Sequence, residues 1–381
     1  MREAVIVSAV RSPVGKRGGA LADVHPVELG AQVLQALVTR AGVSPEIIDD
    51  VIWGCVAQSG EQTGDIARTT VVAAGWPLEI PGVSVDRQCG SSQQALHFAV
   101  AGVVAGHYDV VVAGGVESMS RVPMGSSRGD ADNLGPSFLE RVDGVRPHQG
   151  IGAEMIAQQW GLSREDCDAL ALESHSRAAR AQDSGAFDEQ IVPITTPDGT
   201  VVSVDEGVRR GGTMDKLAGL TPAFTEDGLV TAANSSQMSD GSAAILVMTR
   251  EKADELGLTP IARVHTAVVV GSDPVLMLTG PIPATRKALE RSGLTVDDID
   301  TFEVNEAFAP VALAWLKEIG ADPARLNPEG GAIALGHPLG GSGARLMTTM
   351  IHRMRREGLR YGLQTMCEGG GQANATIVEA L

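Results

Sequence analysis

Apolar and polar positions fall into two kinds of block along the chain. Short β-branched runs read as strands. Longer stretches with apolar residues three or four apart read as helices. Glu3–Val10, Asp50–Val56, Val83–Arg87 and the fully apolar Val110–Ala113 are predicted strands. Pro26–Ala41 carries Leu29, Val33, Ala36 and Leu37 on one face and meets Gly42 as its stop, which predicts an amphipathic helix. Ser92–Val104 is predicted to be a second. Strands alternating with helices imply an α/β fold whose sheet is covered on both faces.

The same order then returns. Ala262–Val270 echoes Glu3–Val10, Pro283–Ser292 is a helix, and Asp300–Val304 (DTFEV) echoes Asp50–Trp53 (DVIW). Near Leu326 a strand is expected to lead through a glycine-rich loop into a helix over Gly343–Arg356, as Val83–Arg87 leads into Ser92–Val104. Tyr361–Cys367 echoes Tyr108–Gly114. The chain therefore reads as two copies of one α/β unit, with a ligand site expected where they meet. Residues 120–240 fit neither copy. They open with RVPMGSSRGDADNLGP and continue into a helix announced by the capping-box pattern SRED at Ser163. They are expected to be an insertion that covers a pocket or makes an interface. This leaves 1–119 plus 241–260 as an N-terminal half and 261–381 as a C-terminal half.

Composition narrows the function. Of the 381 residues 43% are hydrophobic, enough for a large core, and the net charge of −17 argues against a nucleic-acid partner. It does not exclude a small anionic ligand, because a locally basic pocket can sit on an acidic protein. The 46 glycines fall in clusters, which marks tight turns and close backbone approaches. No apolar stretch is long enough to span a membrane, and the N-terminus lacks a secretory pattern. Four cysteines without C-x-x-C or zinc spacing predict neither a disulfide framework nor a metal site, and fit a reducing cytoplasm.

Four segments could carry chemistry. In VDRQCGSSQQA, Cys89 lies between a strand and a helix start, where backbone N–H groups favour an anion and hence a thiolate. The bland alternative is a small core residue, and the context makes the two about even. In GGAIALGHPLGGSGAR, His337 sits on a loop between Gly and Pro, and histidine is the commonest base for a cysteine nucleophile. No Lys-Ser/Thr follows the glycines, so a phosphate loop is rejected. In MCEGGGQANA, Cys367 precedes three glycines that could aim N–H groups at a ligand oxygen, although an inert thiol in a tight turn is the simpler reading of that segment alone. In VNEAFAP, Asn305 and Glu306 stand at a strand-to-helix turn and could be an ordinary cap. Cys55 and Cys167 read as buried structural residues.

In this order and spacing the segments resemble the thiolase family, and GGVESMS and TAANSSQMSDGSA extend the resemblance over the whole chain. The resemblance implies a five-layer αβαβα pseudo-dimer of two similar halves with a loop domain inserted in the first. It implies an acyltransferase that uses coenzyme A as substrate, without a metal or redox cofactor, and cleaves 3-ketoacyl-CoA to acetyl-CoA and a shortened acyl-CoA, as in β-oxidation. By the same resemblance Cys89 is the acylated nucleophile and His337 its activator. Asn305 holds a water in one oxyanion hole, Cys367 exchanges the α-proton, and the backbone N–H groups of Cys89 and Gly369 form a second oxyanion hole. Ser236 and Arg209 match coenzyme A contacts. His148 and Gln149 fall in a segment near the acyl pocket, where Gln149 stands in place of a family methionine. That weighs against a simple two-acetyl specificity. A homodimer or homotetramer is likewise implied. The rivals are an acetoacetyl-CoA-forming member of the family, a ketoacyl synthase, which would pair its cysteine with two histidines, and a non-catalytic acyl or sterol carrier of the same fold.

Overall fold

Two long strands of the first half, VVVAGGVES and SDGSAAILVMT, are rich in apolar residues and wholly buried on both faces. The computed structural model describes residues 2–381. Strands β1 (Ala4–Arg11) and β2 (Gly15–Lys16) precede helix α1 (Pro26–Ala41). Then come β3 (Asp50–Gly54), α2 (Ile66–Ala73), β4 (Val83–Val85), α3 (Ser91–Ala105) and β5 (Val110–Ser118). Helices α4 (Gly135–Arg141), α5 (Gln149–Gln159) and α6 (Arg164–Asp183), the hairpin β6 (Ile194–Thr195) with β7 (Val201–Val202), and α7 (Met214–Ala218) follow. The chain returns through β8 (Ser239–Thr249) and α8 (Arg250–Glu255). The remainder is β9 (Ala262–Gly271), α9 (Pro281–Ser292), β10 (Thr301–Val304), α10 (Ala309–Ile319), α11 (Ala332–Leu335), α12 (Leu339–Glu357), β11 (Tyr361–Glu368) and β12 (Gln372–Ala380).

The hydrogen-bonded order is β10-β11-β12-β9-β1-β8-β5-β3-β4. β1 and β9 join only through Val5 opposite Arg263 and Ile6 opposite Ala262. Outward from that seam the two sides match strand for strand. β1-β8-β5-β3-β4 answers β9-β12-β11-β10, with the same antiparallel and parallel pairings. The partner of β4 in the second copy is reduced to one bridge between Phe302 and Leu326, so the strand expected near Leu326 does not form. Helix α12 also begins at Leu339 rather than Gly343.

Three cores define the layers. α1 and α2 pack outside the first sheet around Leu29, Leu34, Trp53 and Val112. Between the sheets, α3 and α12 contribute Leu96, Ala99, Met347, Met350 and Ile351. Outside the second sheet, Ile282 and Ala288 of α9 and Trp315 of α10 cover Phe302 and Leu363. The arrangement is αβαβα.

The glycine clusters explain how α3 and α12 reach the middle. A methyl on Gly340 would stand 2.6 Å from the Cα of Cys55, and one on Gly54 would stand 2.5 Å from the backbone nitrogen of Ser92. Backbone touches backbone there, and overpacking of this kind costs about 1–3 kcal/mol or more. Glu117, at the end of β5, accepts N–H bonds from Val56 and Ala57 at 3.0 Å and from Gly340 at 2.8 Å, tying the first half to the start of α12. The 120–240 segment is anchored to β1 by the fully buried ion pair of Arg11 with Asp205, two hydrogen bonds of 2.7 and 2.9 Å.

Candidate active site

Two helix starts and one hairpin meet in a cavity of about 240 Å³. Cys89 lies two residues before α3, on a turn whose Gln88 takes a left-handed φ of 48°. His337 lies two residues before α12. Cys367 is the penultimate residue of β11, close to the Gly369–Gly371 turn, where Gly370 and Gly371 take φ of 81° and 76°. A side chain on Gly369 would press on Gln88, so this hairpin lies against the turn that carries Cys89. Cys89, His337, Cys367, Gly369, Ser236, His148 and Gln149 all line the cavity.

The protonation state of His337 follows from its neighbours. Ser342 donates its hydroxyl hydrogen to the Pro338 carbonyl at 2.8 Å. Its oxygen, 2.6 Å from His337 Nδ1, must then accept, so Nδ1 carries the hydrogen. Nε2 is left unprotonated and accepts a long hydrogen bond of 3.4 Å from the Asn305 side-chain nitrogen. Burial, assisted by the Arg345 cation, pushes His337 down to about 3, so the ring is neutral at ordinary pH. Asn305 does not line the cavity itself but stands behind His337, with its Oδ1 lacking a protein donor. Its partner in the motif, Glu306, points elsewhere and binds Ser174 at 2.6 Å and Asn327 at 2.9 Å.

One expectation is overturned. The start of α3 does not make Cys89 a preformed thiolate. Burial pushes the thiol up to about 12, with the nearby Glu368 carboxyl acting in the same direction. Cys367 is likewise raised by burial. Desolvation outweighs the helix terminus, so both cysteines rest as thiols and need an acceptor for the proton.

Arg209 is not brought to this cavity. It is exposed and lines a separate groove with His175, Arg180, Arg210 and Met214, where its N–H donates to His175 Nδ1 at 3.1 Å. Ser236 is at the cavity and its N–H donates to Ala307 O at 2.9 Å. His148 caps α5 through Nδ1, and its ring meets Phe224 edge-on at 5.6 Å; Phe224 in turn meets Phe308 at 5.7 Å. These two phenylalanines and Met119, Met124, Met238, Leu278 and Leu339 form the apolar wall; the sequence pointed to the Arg121–Arg146 stretch that holds Met124 as part of the acyl pocket, and to none of the others as pocket residues. The signal available was that Phe308 closes the NEAF motif and that phenylalanine is scarce in this chain. Ser342 was also missed, although it is the one polar residue amid the glycines after His337. Among the described residues no helix is long and apolar enough to cross a membrane, and no cluster of three His, Cys, Asp or Glu is placed to hold a metal.

A duplicated αβαβα fold with two thiols and a neutral imidazole around one cavity defines an acyl-transfer enzyme. The chain belongs to the thiolase family: residues 4–251 match the thiolase N-terminal domain and 258–380 the thiolase C-terminal domain. It is 51% identical to the steroid 3-ketoacyl-CoA thiolase FadA6 of Mycobacterium tuberculosis, over all of this chain and 95% of that one. It is 44% identical to the 3-ketoacyl-CoA thiolase of Bacillus subtilis, over the full length of both. The crystal structure of the Bacillus anthracis acetyl-CoA acetyltransferase superposes with a TM-score of 0.92 at 43% identity, covering all of this chain and 99% of that one.

Proposed function

We propose that the protein cleaves 3-ketoacyl-CoA esters by thiolysis, with Cys89 as acyl carrier, and that the acyl group is larger than acetyl. The observation that carries the reading is the convergence of Cys89, Cys367 and His337, whose Nε2 is unprotonated, on one cavity. Cys89 attacks the 3-keto carbon and passes its proton to His337 Nε2, whose new N–H then faces the developing oxyanion. Asn305 supports this site, and the N–H groups of Cys89 and Gly369 serve the thioester oxygen of the acetyl-CoA portion. As the C2–C3 bond breaks, its electron pair stays on C2, which takes a proton from Cys367. Coenzyme A gives its thiol proton to the Cys367 thiolate and attacks the acyl–Cys89 thioester. The departing Cys89 sulfur recovers the proton from His337, and both thiols and the imidazole are restored.

The larger acyl group is supported by the wall of methionines and phenylalanines, adaptable apolar surface of the kind that receives bulky groups. The substrate class in the name of the 51% relative, a steroid 3-ketoacyl-CoA, fits such a wall. Gln149, whose Nε2 reaches the Met124 sulfur at 3.7 Å, is the polar exception in it. Residues 120–240 act as the inserted loop domain, bringing Ser236, and Arg209 in its outer groove, toward coenzyme A. A homodimer or homotetramer completes the reading. Its support is the open edge of β4, where Val72, Leu78 and Val83 are 44–68% exposed. The acetoacetyl-CoA reading is favoured by relatives named acetyl-CoA acetyltransferase at 43% identity. Thiolysis rates across 3-ketoacyl-CoA substrates of increasing size separate the two: kcat/KM rising beyond acetoacetyl-CoA is expected, and acetoacetyl-CoA as the best substrate sinks the larger-substrate reading.

A further inference from the structure

Glu368 follows Cys367 in β11 and does not line the cavity. It is fully buried and neither carboxyl oxygen has a hydrogen-bond partner. The carboxyl rests against the cap of α3, because a methyl on Gly90 would collide with Glu368 Oε1 and with Asn374 Oδ1. Asn374 Oδ1 also lacks a donor, while its Nδ2 donates to Gln94 Oε1 at 3.1 Å. Two oxygens without hydrogens therefore crowd one point beside the residue that follows Cys89. Leaving such groups buried and unpaired costs about 1–3 kcal/mol each. A single proton on Glu368, donated to Asn374 Oδ1, satisfies both. A cation, Arg87, favours ionisation of the carboxyl but does not pair with it. Arg87, on the turn before Cys89, sends NH1 to Gln372 Oε1 at 2.9 Å, and among the described residues it makes no ion pair with Glu368.

We propose that Glu368 is a positioning residue for the thiol chemistry: it stays protonated against the start of α3 in the working enzyme, and its ionisation at alkaline pH suppresses that of Cys89 and Cys367. Few charged groups compete with it. Arg87 and Asp86 stand before Cys89 and Glu117 at the end of β5, whereas Gln94 on α3 and Gln372 and Asn374 on β12 are neutral. After burial, Glu368 is the strongest influence holding the Cys89 thiol up. Burial pushes the Glu368 carboxyl itself up to about 8, with the Arg87 cation and the nearby Asn374 N–H pulling the other way. Below that value the carboxyl is neutral and burial is the main effect opposing thiolate formation. Above it a new anion raises both thiols further.

The test is the rate of Cys89 alkylation by iodoacetamide, read by peptide mass, in unmodified protein and in Glu368→Gln across a pH series. Near pH 6.5 the two rates should agree within about twofold, and near pH 9 the variant should react about tenfold faster, one unit of thiol pKa. Glu368→Met, neutral and of similar length, repeats the comparison where the amide variant does not fold. A structural role alone changes the rates by one factor at all pH values, and that result overturns the proposal. So does a variant that already reacts about tenfold faster near pH 6.5, which is the outcome if the Asn374 and Gln94 amides are turned over and hold an ionised Glu368. The consequence for turnover rests on the thiolase reading above. Alkylation needs no turnover, so a failure of that reading leaves this result separately legible.

Discussion

The turns before α3 and before α12 occupy equivalent places in the two copies, each two residues ahead of a helix that fills the central layer. One holds Cys89 and the other His337. The first turn is fed by a true strand, β4, and passes through a left-handed Gln88. The second has lost its strand to a single bridge at Leu326 and instead carries α11 and the run of glycines. Duplication thus supplied two helix starts facing one cavity. Divergence gave one a nucleophile and the other a proton acceptor. Loss of regular structure in the second copy accompanies the need for its backbone to approach Gly54, Cys55 and Gly115 closely.

Removing the residue unique to each turn should break this division of labour unequally. Cys89→Ala should abolish acyl-enzyme formation, seen as loss of acyl mass on its peptide, and lower thiolysis by roughly 10⁴-fold or more, the scale for loss of a nucleophile that acts within a unit. His337→Ala should cost about 10²–10⁴-fold, the range for a positioned base. Because burial holds His337 at about 3, the kcat/KM of the native protein should show no acid limb near the usual imidazole value of about 6.5. A limb there that vanishes in His337→Ala would show the imidazole to be exposed and ordinary. Ser342→Ala removes the acceptor that fixes the hydrogen on Nδ1, and should lower kcat roughly tenfold with KM little changed, the worth of one buried hydrogen bond. An unchanged kcat would mean that Ser342 does not set the tautomer. The smallest effect is expected in the wall: Gln149→Met should move the preference between short and long acyl groups by about fivefold, or about 1 kcal/mol, the lower end of what discrimination by apolar fit is worth per methylene.

Much of this was readable without coordinates. The repeat was visible because β1, β3 and β5 share their residue pattern with β9, β10 and β11. Cys89, His337 and Cys367 stand out because glycine-rich turns are where side chains can be aimed at a ligand. Other features were not local. That Cys89 rests as a thiol depends on desolvation by distant segments. Phe224 and Phe308 meet only after the chain folds, and neither lies in a periodic run. The start of α12 at Leu339 contradicts the low helix propensity of Gly340, Gly341 and Gly343, because close backbone contacts in the central layer override it. Arg209, chosen by resemblance, stands in an outer groove whose position no spacing rule could give.

The contact of bare backbones at Gly54, Gly115, Gly340 and Gly343 has a consequence for how such an enzyme changes over time. The reacting groups hang from a seam that admits no side chain, whereas the acyl wall is built, Leu339 apart, from large apolar side chains on other segments. Drift in the wall, one methionine or phenylalanine at a time, leaves the separation of the thiol and the imidazole where it was. Substrate range and chemistry are thereby inherited independently, and a lineage can explore new acyl groups by point substitution without passing through inactive ancestors.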